Sequence, residues 1–180
     1  ASTQITNYYG LISSVGAGMT DSKLPDAQSG FEKGISVAMA ALAGCNGISE
    51  SSGMLASLMG CSYESLVIDN EMLGVIMRTV KGIEVSDETL SLEVIKEAVF
   101  GDGHFLRSGQ TLEKMKSEYF YPEILDRKSQ LEWREDGSLD IRKRAEIKVK
   151  QILENHSPLY IDKKADSLIR QNFPIQIDFS

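Results

Sequence analysis

Long hydrophobic runs are missing from this chain: no apolar stretch approaches the roughly 20 residues that a membrane-spanning helix needs. The first residues, ASTQITNYYG, are polar and unlike a secretory signal. Cysteine is scarce. Cys45 and Cys61 are the only two, and neither has a CxxC spacing or a nearby histidine that would make a zinc site recognisable. Reduced, buried thiols in a soluble, cytoplasmic protein are expected. Positive charge is outnumbered, with 19 Lys and Arg against 26 Asp and Glu and a formal net charge of −7, which opposes nucleic-acid and anionic membrane surfaces. The densest basic run, Arg142, Lys143, Arg144, Lys148 and Lys150, is interleaved with Glu146 and preceded by Asp140, as in a solvated helix face. Neither nucleic acid nor membrane is an expected partner. Also missing are the GxSxG elbow of a serine hydrolase, HExxH, an EF-hand loop and a P-loop. No metal site is expected.

What is present suits an ordinary globular domain with a real core: 180 residues, 42% hydrophobic and 25% charged. Ile5, Tyr8 and Tyr9 before Gly10 have the look of a last helical turn with its glycine stop and no beginning. With no initiator Met, this predicts a piece of a longer chain. Leu11, Ile12 and Val15, ended by Gly16 and Gly18, predict a strand. Asp26 is placed to cap a helix whose Phe31, Ile35, Ala38, Met39 and Leu42 recur at helical spacing, with Gly44 closing it. CNGISESSG can hold a short strand and loop, and a helix spanning 62–82 follows, apolar on much of its circumference. Ser86 is a good N-cap for a further helix with Leu90, Val94, Ile95 and Ala98 on one side. After GDGHFL, Ser108 or Thr111 starts another, stopped before Pro122. Residues 126–137 look turn-like, and helices are expected over 139–155, with Ile141, Ala145, Val149 and Ile152 on one stripe, and over 162–173. Alternating strands and helices argue for parallel βαβ units. A whole (β/α)8 barrel takes about 250 residues, so this chain can hold only part of one.

In parallel α/β architectures ligands meet the loops after the strands, at their carboxyl ends. GAGMTDSK is therefore the first candidate. Its glycines allow close backbone approach; Asp21 and Lys23 could form a charged pair orienting a substrate, Thr20 and Gln28 could hydrogen-bond it, and Met19 could wall it. The bland alternative is a capped loop with solvated charges, and GAG lacks the GxGxxG spacing of a dinucleotide site. In the second loop Glu50 could neutralise a cation, or simply start a helix. His104, in GDGHFL, is one of two histidines and could be a positioned imidazole or a structural one. His156, in ENHSP, fits a contact with a helix C-terminus.

The ordered blocks GAGMTDSKLPDAQSGFEK, LAGCNGISESSGML, SYESLVIDNEMLG, KGIEVSDETL, GHFL and YPEILDR resemble the C-terminal part of the trimethylamine:corrinoid methyltransferase family, from about residue 8 to about residue 127. The resemblance implies an α/β fold, the last βα units of a (β/α)8 TIM-type barrel over 1–125, followed by a helical C-terminal extension over 126–180. It implies transfer of a methyl group from a methylated or quaternary amine to the Co(I) corrinoid (cobalamin) of a separate carrier protein, with no metal bound directly. Members acting on trimethylamine carry pyrrolysine, whose place falls at or next to Met19. An ordinary residue there resembles the non-pyrrolysine branch, whose members demethylate quaternary amines such as glycine betaine. On this resemblance Asp21 and His104 are the catalytic candidates, and Met19, Thr20, Lys23, Gln28 and Glu50 bind the substrate. Tyr8 or Tyr9 could add a cation–π face, or belong to the core. Ser49 departs from the histidine associated with many relatives in this loop, which implies either a different substrate or weakened activity. The isolated 180 residues are expected to be inactive and to form a homo-oligomer, because part of a barrel leaves strand edges and apolar helix faces uncovered. The alternative is a non-catalytic α/β module that binds a protein partner.

Overall fold

The computed structural model describes residues 1–101, 103–156 and 160–175. Helix α1 (Ser2–Tyr8) leads through Gly10, at φ +65°, to strand β1 (Ser14–Gly16). Helix α2 (Ala27–Leu42) then returns the chain to β2 (Gly47–Ser49), which lies parallel to β1 with Val15 opposite Ile48. This is one βαβ unit. Leu11 and Ile12, expected within the strand, precede it and are exposed. The pairing instead begins at Ser13, whose amide bonds Asn46 Oδ1 at 3.0 Å and whose carbonyl takes the Gly47 amide. A small antiparallel hairpin of β3 (Met54–Leu55) and β4 (Gly60–Cys61) precedes helix α3 (Tyr63–Lys81).

The caps act as their chemistry dictates. Asp26 accepts the Ser29 amide and Ser62 accepts the Ser65 amide, each satisfying an otherwise unpaired N–H of a first turn. The faces differ from expectation. Phe31, Ile35, Met39 and Leu42 point outward, with Phe31 68% exposed, while the buried line of α2 is Ser29, Lys33 and Val37. Ala38, Ala40 and Ala41 join Ala17, Val37, Ile48, Met72, Leu73 and Ile76 in the core between the strand pair, α2 and α3. The helix has two apolar flanks, and the one carrying the alanines packs into the core. Cys45 is only partly buried and Cys61 is exposed, which corrects the expectation of buried thiols.

Beyond α3 the structure is helical. The helix expected to start at Ser86 begins later, as α4 (Leu92–Phe100): residues 86–90 form a turn closed by bonds between Ser86 and Thr89, and Ser91 is left-handed at φ 55°. Helix α5 (Gly109–Ser117) follows. The region expected to be turn-like contains α6 (Gln130–Glu135), closed by a reciprocal capping box between Ser129 and Glu132. Helix α7 (Ile141–Asn155) buries Ala145 and Val149 of its expected stripe, while Ile152 at its far end is exposed. Residues 118–125 are fastened to α3 by polar bonds, Glu71 accepting the amides of Glu123 and Leu125 at 2.6 and 3.3 Å and Arg78 pairing with Glu118 at 2.7 Å, and Arg144 of α7 in turn donates to the Ile124 carbonyl at 2.6 Å.

Two compact units result, Ala1–Val149 and Lys150–Ser180. The second contains α8 (Lys163–Asn172), capped by Asp162 and carrying an Arg170 to Asp166 pair at 3.0 Å. Among the described residues no helix is long and apolar enough to cross a membrane.

Candidate functional site

The carboxyl ends of β1 and β2 lie side by side, so the loops that follow them share one face. Loop contact is close. The Ala17 amide bonds the Ser49 carbonyl at 3.1 Å, and a Cβ added at Gly18 would stand 2.6 Å from Ser51 Cα, so only glycine, at φ +92°, fits there. The hairpin tip clamps the first loop from the other side: the Ala56 and Ser57 amides donate to the carbonyls of Ser22 and Thr20 at 2.8 and 2.9 Å. To do so Ala56, Ser57 and Leu58 all adopt positive φ, a left-handed run that non-glycine residues resist.

Within this clamp the predicted site residues divide. Thr20 is buried and donates to Glu32 Oε2 at 2.5 Å; Gln28 donates to Glu32 Oε1 at 2.9 Å, and the Asp21 amide adds a third bond at 2.9 Å. Glu32 is thus the hub of the first loop. The Thr20 hydroxyl, then Gln28 and the Asp21 amide, hold its carboxyl below the usual glutamate value. The expectation of a charged pair between Asp21 and Lys23 is corrected: Lys23 Nζ donates to the Asp21 carbonyl at 2.8 Å, and the Asp21 carboxylate accepts the Ser57 hydroxyl. Asp26 is likewise held low by the Ser29 amide and the Ser22 hydroxyl.

Met19 and Glu50 meet at Gly16. A Cβ added there would lie 3.0 Å from Glu50 Oε2 and 3.4 Å from Met19 Cε. Glu50 is exposed, occupies the left-handed region at φ 56°, and its carboxylate has no hydrogen bond or ion pair among the described residues. A non-glycine residue in that conformation costs of order 1–3 kcal/mol and persists only where its surroundings hold it.

His104 lies elsewhere, in a recess of about 310 Å³ with Val94, Glu97, Arg107 and Ser108, which none of the loop residues lines. A larger cavity of about 630 Å³ runs between the end of α3 and helices α4 and α5, past Ile83, Phe105 and Tyr119. Its Arg78 and Lys81 are engaged by Glu118, and the strand ends, where an uncommitted carboxylate sits over bare backbone, make the better site. Tyr8 and Tyr9 are exposed at the end of α1 and pack edge to face at 5.3 Å, so they do not belong to the core. Among the described residues no group of His, Cys, Asp or Glu is placed to hold a metal ion.

Sequence reasoning missed Glu32 and a buried pair, Lys33 Nζ to Asp69 Oδ2 at 2.6 Å, that joins α2 to α3. The four-residue spacing of Gln28 and Glu32 was a local signal for the first. Nothing local announced the second.

Residues 1–174 match the family described as trimethylamine methyltransferase (MTTB). The chain is 33% identical over 170 residues to the glycine betaine methyltransferase of Desulfitobacterium hafniense (strain Y51), covering 94% of the chain and 35% of that protein. It is 38% identical over 165 residues to trimethylamine methyltransferase MttB of Methanosarcina thermophila, covering 90% and 33%. Against MttB of D. hafniense (strain DSM 10664 / DCB-2) the identity is 35% over 167 residues, covering 93% and 33%. The chain therefore spans about a third of the length of these relatives. With the matched residues running from α1 through α8, it belongs to the trimethylamine methyltransferase (MTTB) family.

Proposed function

We propose that this chain is the C-terminal part of a (β/α)8-barrel methyltransferase that takes a methyl group from a quaternary or other methylated amine and delivers it to the Co(I) corrinoid of a carrier protein. The observation that carries the reading is Glu50: an uncommitted carboxylate, held in a strained backbone over Gly16 at the ends of two parallel strands. A quaternary ammonium has no N–H and is recognised by negative charge and apolar contact. Glu50 supplies the charge and Met19, at the same spot, a polarizable wall.

When the N–CH3 bond breaks, its electron pair returns to nitrogen, so a quaternary amine leaves neutral and needs no acid. A corrinoid bound to its carrier in the Co(I) form would supply the electron pair that accepts the methyl carbon. The protein's work is then to hold the cation so that one methyl faces the open side of the loops. The donor set at Gly16, a carboxylate and a thioether, suits a substrate cation, and the corrinoid is assigned to a partner. Asp21 and Lys23 shape the rim through Ser57 and the loop backbone, and Thr20 and Gln28 hold Glu32. His104 would reach the substrate only from its separate recess.

The test is methyl transfer from glycine betaine and a panel of quaternary amines to Co(I) cobalamin, by these residues alone and joined to the remaining two thirds of a relative. Transfer by the joined chain only, reduced about 10-fold or more in its affinity for the amine by Glu50→Gln, is the expected result. No transfer from any amine by either form would overturn the reading.

A further inference from the structure

We propose that Asp69, paired with Lys33, is the positioning residue for the Glu50 loop. The inference rests on the reading of Glu50 given above. Asp69 Oδ2 gathers three donors: Lys33 Nζ at 2.6 Å, the Gly53 amide at 2.7 Å and Ser65 Oγ at 3.2 Å. Lys33 is 0% and Asp69 2% exposed. Lys33 Nζ also donates to Ser65 Oγ at 2.8 Å, so the polar atoms at the α2–α3 seam bond one another and one outsider. That outsider is the backbone of the loop after β2.

A buried ion pair is seldom more stable than apolar side chains of the same volume. Its effect here is geometric. Gly53, at φ +80°, has no room for a side chain, since a Cβ would lie 2.5 Å from Leu66 Cδ2, so its amide is brought straight onto the Asp69 carboxylate. Three anchors then bracket Glu50. Ser49 is tied to Ala17 through its carbonyl, Ser51 abuts Gly18, and Gly53 is tied to Asp69. The left-handed backbone of Glu50 is over-determined from both sides, as a strained residue must be to persist. Loss of the Gly53 anchor frees residues 50–53 at one end, and the carboxylate loses its fixed place over Gly16.

Two double variants of the full chain separate anchor from ion pair. Lys33→Met with Asp69→Asn removes both charges and keeps an acceptor for the Gly53 amide; Lys33→Met with Asp69→Leu removes the acceptor too. Hydrogen exchange over residues 50–55 and titration with tetramethylammonium are the readouts. The expected result is exchange at Gly53 about 10-fold faster and tetramethylammonium binding about 5-fold weaker in the Leu variant than in the Asn variant. Equal protection of Gly53 in the two variants overturns the proposal. Should neither fold, the unaltered protein decides: a Gly53 amide as slow as those in the middle of α3 supports the anchor, and one as fast as exposed loop amides overturns it. A Glu50→Gln variant that binds tetramethylammonium as well as the unaltered protein would sink the reading of Glu50 instead, while exchange at Gly53 still judges the anchor.

Discussion

Single residues set the geometry of the loop face. At Gly18 the constraint is steric, because Ser51 backbone atoms occupy the space a Cβ would need and φ is +92°. Gly18→Ala should cost about 1–3 kcal/mol and displace the second loop, measured by denaturant unfolding and by loss of amine binding. Glu32 acts through its charge. Its carboxyl is held low first by the Thr20 hydroxyl, then by Gln28 and the Asp21 amide, so its contribution is fully present above the unfolded glutamate pKa of about 4.3 and is lost as pH falls through the lower folded value. Asp26 shifts in the same direction through Ser29 and Ser22. Acidification below about pH 4 should therefore loosen residues 17–26, followed by hydrogen exchange, and Glu32→Gln should shrink that acid step without abolishing it. An acid step of unchanged size in Glu32→Gln would assign the effect to Asp26 alone.

Between elements, the seam of α2 and α3 joins a buried charge pair to the apolar contact of Val37 with Ile76 and its neighbours. Lys33→Ala would leave Asp69 buried and unpaired, and chemical denaturation should show a loss of about 3–5 kcal/mol. A loss under 1 kcal/mol would mean that water reaches the site. Helix limits were legible where the signal is local. Asp26, Ser62 and Asp162 cap α2, α3 and α8 through their side chains, since an N-cap is decided by a side chain and the amides two or three residues on, whereas Ser108 stands at the N-cap of α5 without a side-chain bond. The Ser129 to Glu132 box of α6 is equally local and was passed over because polar residues dominate the segment. The start of α4 was not legible, because the Ser86 to Thr89 turn uses the same capping chemistry to close a turn in place of a helix. Which flank of α2 faces inward was also hidden. Its outward stripe is the more hydrophobic, and the inward line is fixed by a partner of Lys33 that lies 36 residues away.

For the whole molecule, the exposed stripe of Phe31, Ile35, Met39 and Leu42 on α2, with β1 and β2 paired only to each other among the described residues, leaves apolar surface of the kind that drives association. Sedimentation should show the 180 residues self-associating, and Ile35→Lys with Met39→Lys should raise the monomer fraction. A monomer at every concentration would remove association through this face. By itself the sequence determined the caps of α2, α3 and α8, the order of strand and helix in the first βαβ unit, and the family, because these follow from local chemistry and from residue blocks in a fixed order. Tertiary structure alone decided that Met19 and Glu50 meet over Gly16, that Thr20, Asp21 and Gln28 converge on Glu32, that His104 lies in a different recess, and that Asp69, paired with the buried Lys33 of α2, holds the second loop through the Gly53 amide. Those outcomes depend on atoms distant in the chain reaching hydrogen-bonding range, which no local pattern encodes.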